Sequence, residues 1–134
     1  MYAKQPNAPK IVQFSLDLSV AAGTNAIATA SMAGPIEITG VSIYCSVVGA
    51  TWTSVALHDD TAAANEIMGT TKGAVANFTA GAILPLDWNF ARPFHLEAGS
   101  SLEYTLAGST GSGTALLTVQ YVPVKRGGTL DIAA

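Results

Sequence analysis

AGSSLEYTLAGSTGSGTALLTVQYV, residues 98–122, is the stretch that decides the fold. Leu102, Tyr104 and Leu106 alternate with Glu103 and Thr105. After a Gly/Ser/Thr run, Leu117, Val119 and Tyr121 alternate with Thr118 and Gln120. Successive side chains of a strand point to opposite faces, so a period of two marks a strand with one buried face. The stretch predicts two strands joined as a hairpin. Their solvent side carries almost no charge, and a functional reading has to explain that.

The same period runs outward along the chain. In residues 11–20, IVQFSLDLSV, the apolar set Val12, Phe14, Leu16, Leu18 and Val20 alternates with Gln13, Ser15, Asp17 and Ser19. Residues 26–32 form a weaker, small-residue strand. In residues 35–48, PIEITGVSIYCSVV, the apolar positions shift from even (Ile36, Ile38) to odd (Val41, Ile43, Cys45, Val47) at Gly40. One extra residue beside a glycine predicts a β-bulge. Residues 51–58 give a further strand. ILPLDW, 83–88, reads as an edge strand because Pro85 has no N–H to donate. Residues 94–96 make a short one.

No segment repeats apolar residues at helical spacing. The expectation is an all-β, two-sheet antiparallel sandwich with jelly-roll or Greek-key wiring, about eight strands and almost no helix. Residues 1–9 read as an extended arm, 10–124 as a single domain and 125–134 as a Gly-hinged tail.

Composition narrows the function. The chain has 134 residues, 49% of them hydrophobic and only 11% charged, against about 25% charged in an ordinary globular domain. A charge-poor surface suits burial against partner subunits, because interface cores are depleted of charge. A net charge of −3 lacks the basic footprint of a nucleic-acid binder. No apolar run is long enough for a membrane helix. The opening MYAKQPNAPK has no apolar core of a signal peptide. Cys45, alone in an apolar row, reads as a buried core residue.

Candidate chemistry is sparse. His58-Asp59-Asp60 with Glu66 is the richest polar cluster. Asp59, Asp60 and Glu66 are weak candidates for Ca²⁺, but HDDTAAANE lacks the D-x-D-x-D-G calcium pattern, and aspartates that brace a turn explain the cluster as well. His95 and Glu97 share one strand face without further ligands. One Cys and two His cannot make a structural zinc set. There is no G-x-S-x-G elbow, and GSTGSG has neither the Lys nor the following helix of a phosphate loop. No cofactor and no catalysis are expected. Trp88 and Phe90, flanking a turn, are the aromatic candidates for stacking on a sugar.

One resemblance adds to this. Leu84-Pro85-Leu86, Arg92-Pro93-Phe94-His95-Leu96, Glu97-Ala98-Gly99-Ser100-Ser101-Leu102 and Val119-Gln120-Tyr121 resemble the closing strands of small virion proteins of tailed bacteriophages, of the capsid decoration (cement) and head-fibre type. The resemblance covers about residues 83–122. It implies an oligomeric jelly roll, often a trimer, made in the host cytoplasm and docked on a capsid or tail by its terminal segments. The docking candidates are then Tyr2, Lys4, Lys10, Lys125, Arg126, Leu130 and Ile132. The alternative is a carbohydrate- or receptor-binding module at a fibre tip.

Overall fold

The computed structural model describes residues 8–45, 52–61, 65–70, 72–78, 81–85, 94–108 and 113–133. Alternation becomes strand almost everywhere it was read. In chain order the strands are β1 Lys10–Asp17, β2 Gly23–Ala30, β3 Ile36–Cys45, β4 Trp52–Asp59, β5 Glu66–Met68, β6 Ala82–Pro85, β7 Phe94–Leu96, β8 Ser101–Gly108, β9 Thr114–Pro123 and β10 Leu130–Ile132. A single 3-10 turn, Val75–Asn77, is the helical element among the described residues.

The strands form two antiparallel sheets. In sheet A the order is β1-β9-β3-β6, with β7 also pairing β3; in sheet B it is β10-β2-β8-β4-β5. Residues 82–85 do lie at a sheet edge. The chain changes sheet at nearly every connection, which is jelly-roll wiring. Short β6 and β7 pair with opposite ends of β3, at Ser42–Cys45 and Ile36–Ile38, so together they fill one strand position. Counting them as one, and β10 as an added edge, recovers the eight strands of a jelly roll.

The stretch 98–122 is not a hairpin. β8 belongs to sheet B, beside β2 and β4, while β9 belongs to sheet A, between β1 and β3. Between Gly108 and Thr114 the chain therefore passes from sheet B to sheet A. Leu102, Tyr104 and Leu106 meet Leu117, Val119 and Tyr121 across the core rather than side by side, and all six are buried. Alternation says that one face is buried, and it does so equally for a strand beside its neighbour and a strand opposite it.

The bulge falls where the phase changed. Ile38 pairs with Tyr121 and Gly40 with Gln120, leaving Thr39 as the extra residue. Its Oγ1 donates to the Gln120 carbonyl at 3.3 Å. Ile36, Ile38, Val41, Ile43 and Cys45 thereby all reach the core. β2 has a second bulge, at Ile27.

Trp52 is buried edge-on to Phe78, with ring centroids 5.4 Å apart and planes at 77°. Gly73 packs on the backbone of β4, its carbonyl accepting from Val55 N–H at 2.9 Å. After β9 the chain turns through Gly127, at φ 89°. It then pairs Leu130 with Ala30 and Ile132 with Ala28.

Candidate functional site

Residues directly opposite in an antiparallel pair share a face, so the register of sheet A writes out its solvent side. Ser15 lies opposite Leu116, Leu116 opposite Tyr44, and Tyr44 opposite Ile83. The next row is Gln13, Thr118 and Ser42, with Gln13 Nε2 donating to Thr118 Oγ1 at 3.2 Å. The row after that is Ile11, Gln120 and Gly40. Among the described residues of this face, charge enters at the margins, with Asp17 at one end and Glu37 beside His95 at the other. Ile11, Tyr44 and Ile83 are 69%, 38% and 64% exposed. Where Gly40 has no side chain, a shallow hollow of about 190 Å³ opens, lined by Ile11, Gly40, Val41, Ser42, Thr118 and Gln120.

Sequence reading missed this apolar row. Its signal is doublets that break the period of two: Ile11-Val12, Ile43-Tyr44, Ile83-Leu84 and Leu116-Leu117. In each, one residue faces the core and the other the opposite side of the same sheet.

The outer side of sheet B is polar and carries acidic residues: Glu103 of β8 lies opposite His58, His58 opposite Glu66, and Asp131 of β10 opposite Thr29. Thr24 and Thr105 hydroxyls are 2.8 Å apart, and Thr29 and Ser101 hydroxyls 3.1 Å. His58 is buried, with Nδ1 2.7 Å from the Asp59 carbonyl and Nε2 2.7 Å from Thr105 Oγ1. A carbonyl only accepts, so Nδ1 carries the proton. In the neutral ring Thr105 then donates to Nε2, and Thr24 donates to Thr105.

Asp59 is a turn brace. Its carboxylate accepts from the Thr61 and Asn65 backbone N–H groups, the Thr61 hydroxyl and the Asn65 side-chain amide, at 2.8–3.2 Å. Burial pushes its pKa up, but the bonds from Asn65 and Thr61 outweigh burial and hold it below the usual value. Asp60 and Glu66 are exposed. Among the described residues no three His, Cys, Asp or Glu side chains gather as a metal site. His95 Nε2 contacts Glu97 at 3.0 Å and its Nδ1 lies 3.6 Å from Glu37, all at the surface.

Of the docking candidates, Lys10 is exposed at the start of β1, and Lys125 and Arg126 are exposed in the turn before β10. Leu130 is 4% exposed and belongs to the domain's own core, whereas Ile132 is 76% exposed on the edge strand. Tyr2, Lys4, Trp88 and Phe90 lie outside the described residues. Cys45 is buried, which pushes its thiol pKa up.

The described strands define an all-β jelly roll whose sheet A carries an apolar and uncharged outer row of Leu116, Tyr44 and Ile83. Its fold is shared with solved virus structures. A chain from the acidic stable capsid structure of Helicobacter pylori bacteriophage KHP30 superposes with a TM-score of 0.56 at 10% identity, over 93% of this chain and 94% of that one. A chain from the capsid asymmetric unit of cyanophage Pam1 gives 0.56 at 13% identity, over 87% of this chain and 85% of that one. No protein-family model matches the sequence, and no curated protein matches it.

Proposed function

We propose that this protein is a non-enzymatic structural component of a virus particle, which decorates or cements a bacteriophage capsid as an oligomer, with a trimer as the expected state. The observation that carries the reading is the outer face of sheet A, where Leu116, Tyr44 and Ile83 line up across three strands with no charge among them. Such a face is cheap to desolvate, because it has no ion to strip of water, and its short Ser and Thr side chains lose little rotamer freedom on burial. A match in fold over most of the chain to chains from two phage capsid structures supports the same reading. The terminal residues, including Lys10, Lys125, Arg126 and Ile132, are proposed as secondary contacts whose weak binding is multiplied by the oligomer.

The test is the solution mass of the full chain, by light scattering or sedimentation, beside Tyr44→Lys. A trimer that Tyr44→Lys dissociates supports the reading. A trimer that Tyr44→Lys leaves intact, or a monomer at every concentration, removes the observation it rests on.

A further inference from the structure

The edge of β1, unpaired among the described residues, is built differently from the other sheet edges. β6 is a four-residue strand ending at Pro85, and β5 and β10 have three residues each. Short strands and prolines are how edges are kept from pairing with other chains. β1 has eight residues in unbroken register with β9, from Lys10 opposite Tyr121 to Asp17 opposite Thr114. Between those two terminal charges it has no charge, no proline and no bulge.

The register also fixes which of its backbone groups are spare. Leu18 N–H donates to the Gly113 carbonyl at 3.0 Å, continuing the β1–β9 pairing. Antiparallel pairs alternate between hydrogen-bonded and non-hydrogen-bonded. Asp17, Ser15, Gln13 and Ile11 therefore sit in non-bonded pairs, and their N–H and C=O groups point away from β9. Among the described residues no strand lies there. One of these groups is already taken: the Asp17 carbonyl accepts Tyr104 Oη–H at 3.0 Å.

We propose that β1 is a pairing edge for a second copy of this chain, antiparallel about a two-fold axis at Gln13. Gln13 then pairs with Gln13 of the other copy, and Ile11 with Ser15, so the spare groups of all three are used. Outward side chains stay outward, as an even register demands. The next residue facing Asp17 is Pro9, which has no N–H to offer a carbonyl that Tyr104 already occupies. At that pair the carbonyl that is taken meets the residue that cannot donate, and only the Asp17 N–H and the Pro9 carbonyl are left to bond. Antiparallel pairing sets Lys10 opposite Leu16 of the other copy, whereas parallel pairing about a two-fold would bring Lys10 to Lys10 and Asp17 to Asp17. Ile11, 69% exposed, gains a neighbour. The proposal does not depend on the capsid reading, since it uses the edge of sheet A and not its face.

Amide hydrogen exchange on the full chain at low and high concentration tests it. At low concentration Val12, Phe14 and Leu16 are protected by β9, while Ile11, Gln13 and Ser15 exchange quickly. At high concentration protection spreads to those three as the mass of the base unit doubles. Gln13→Pro deletes only a spare N–H and keeps the β9 ladder. It should weaken the doubling at least about tenfold in Kd. Ile11→Lys, at an exposed position, should weaken it without touching the fold. Unprotected odd amides at every concentration overturn the proposal, as does doubling that survives both substitutions. Protection of those amides only when a different protein is added overturns it too, by assigning the edge to another strand.

Discussion

Tyr104 of β8 donates its hydroxyl proton to the backbone carbonyl of Asp17 at 3.0 Å, tying sheet B to the end of β1 in sheet A. The ring is buried and 87 residues away in sequence from its acceptor. It links two layers whose facing side chains are apolar.

Tyr104→Phe keeps the ring and removes this link. A loss of about 1 kcal/mol is expected, seen as a fall in Tm of about 3–5 °C. Burial, and then the charge of Asp17, raise the Tyr104 pKa. An acid with a raised pKa in the folded state ionises more readily when unfolded, so its contribution is intact below the ordinary value near 10.0 and falls as pH rises beyond it. Urea titrations at pH 8 and pH 11 should show a steeper alkaline loss for the native protein than for Tyr104→Phe.

Asp59 behaves in the opposite sense. Its folded pKa lies below the ordinary 3.8, so its stabilisation is present above that value and is lost as pH falls through the folded pKa. Asp59→Asn should cost about 2 kcal/mol at pH 7, and its stability should depend less on pH below 4. Equal acid sensitivity of the two proteins would show that this carboxylate does not brace the turn.

Two glycines separate a packing requirement from a mere preference. A Cβ on Gly73 would sit 1.7 Å from the Val55 carbonyl oxygen, inside its van der Waals shell. Gly73→Ala is expected to cost more than about 3 kcal/mol. A Cβ on Gly40 would meet only Gln120, at 3.6 Å. Gly40→Ala should stay within about 0.5 kcal/mol of the native protein while partly filling the hollow on sheet A. Chemical denaturation of both variants decides the matter.

Cys45 is 1% exposed, and its raised pKa leaves little thiolate. A thiol reagent at pH 8 should label the native protein only as fast as it unfolds. Rapid labelling in the absence of denaturant would mean that the end of β3 opens locally.

Sequence alone determined which residues face inward, because the period of two is a local property of an extended backbone. Val12, Phe14 and Leu16, the phase change at Gly40, the edge position ended by Pro85 and the burial of Cys45 could all be read without coordinates. It could not assign partners. The alternation in 98–122 fits paired neighbours and strands in opposite sheets equally, and only the packing of the whole core put β8 in sheet B and β9 in sheet A. Leu130, read as part of the small apolar end of a Gly-hinged tail, is core because β10 pairs with β2 and sets it opposite Ala30. The outer row of Leu116, Tyr44 and Ile83 likewise exists only once β9, β3 and β6 are placed side by side. A face is a property of neighbouring strands, and which strands become neighbours is set by the burial of the whole core rather than by any one segment.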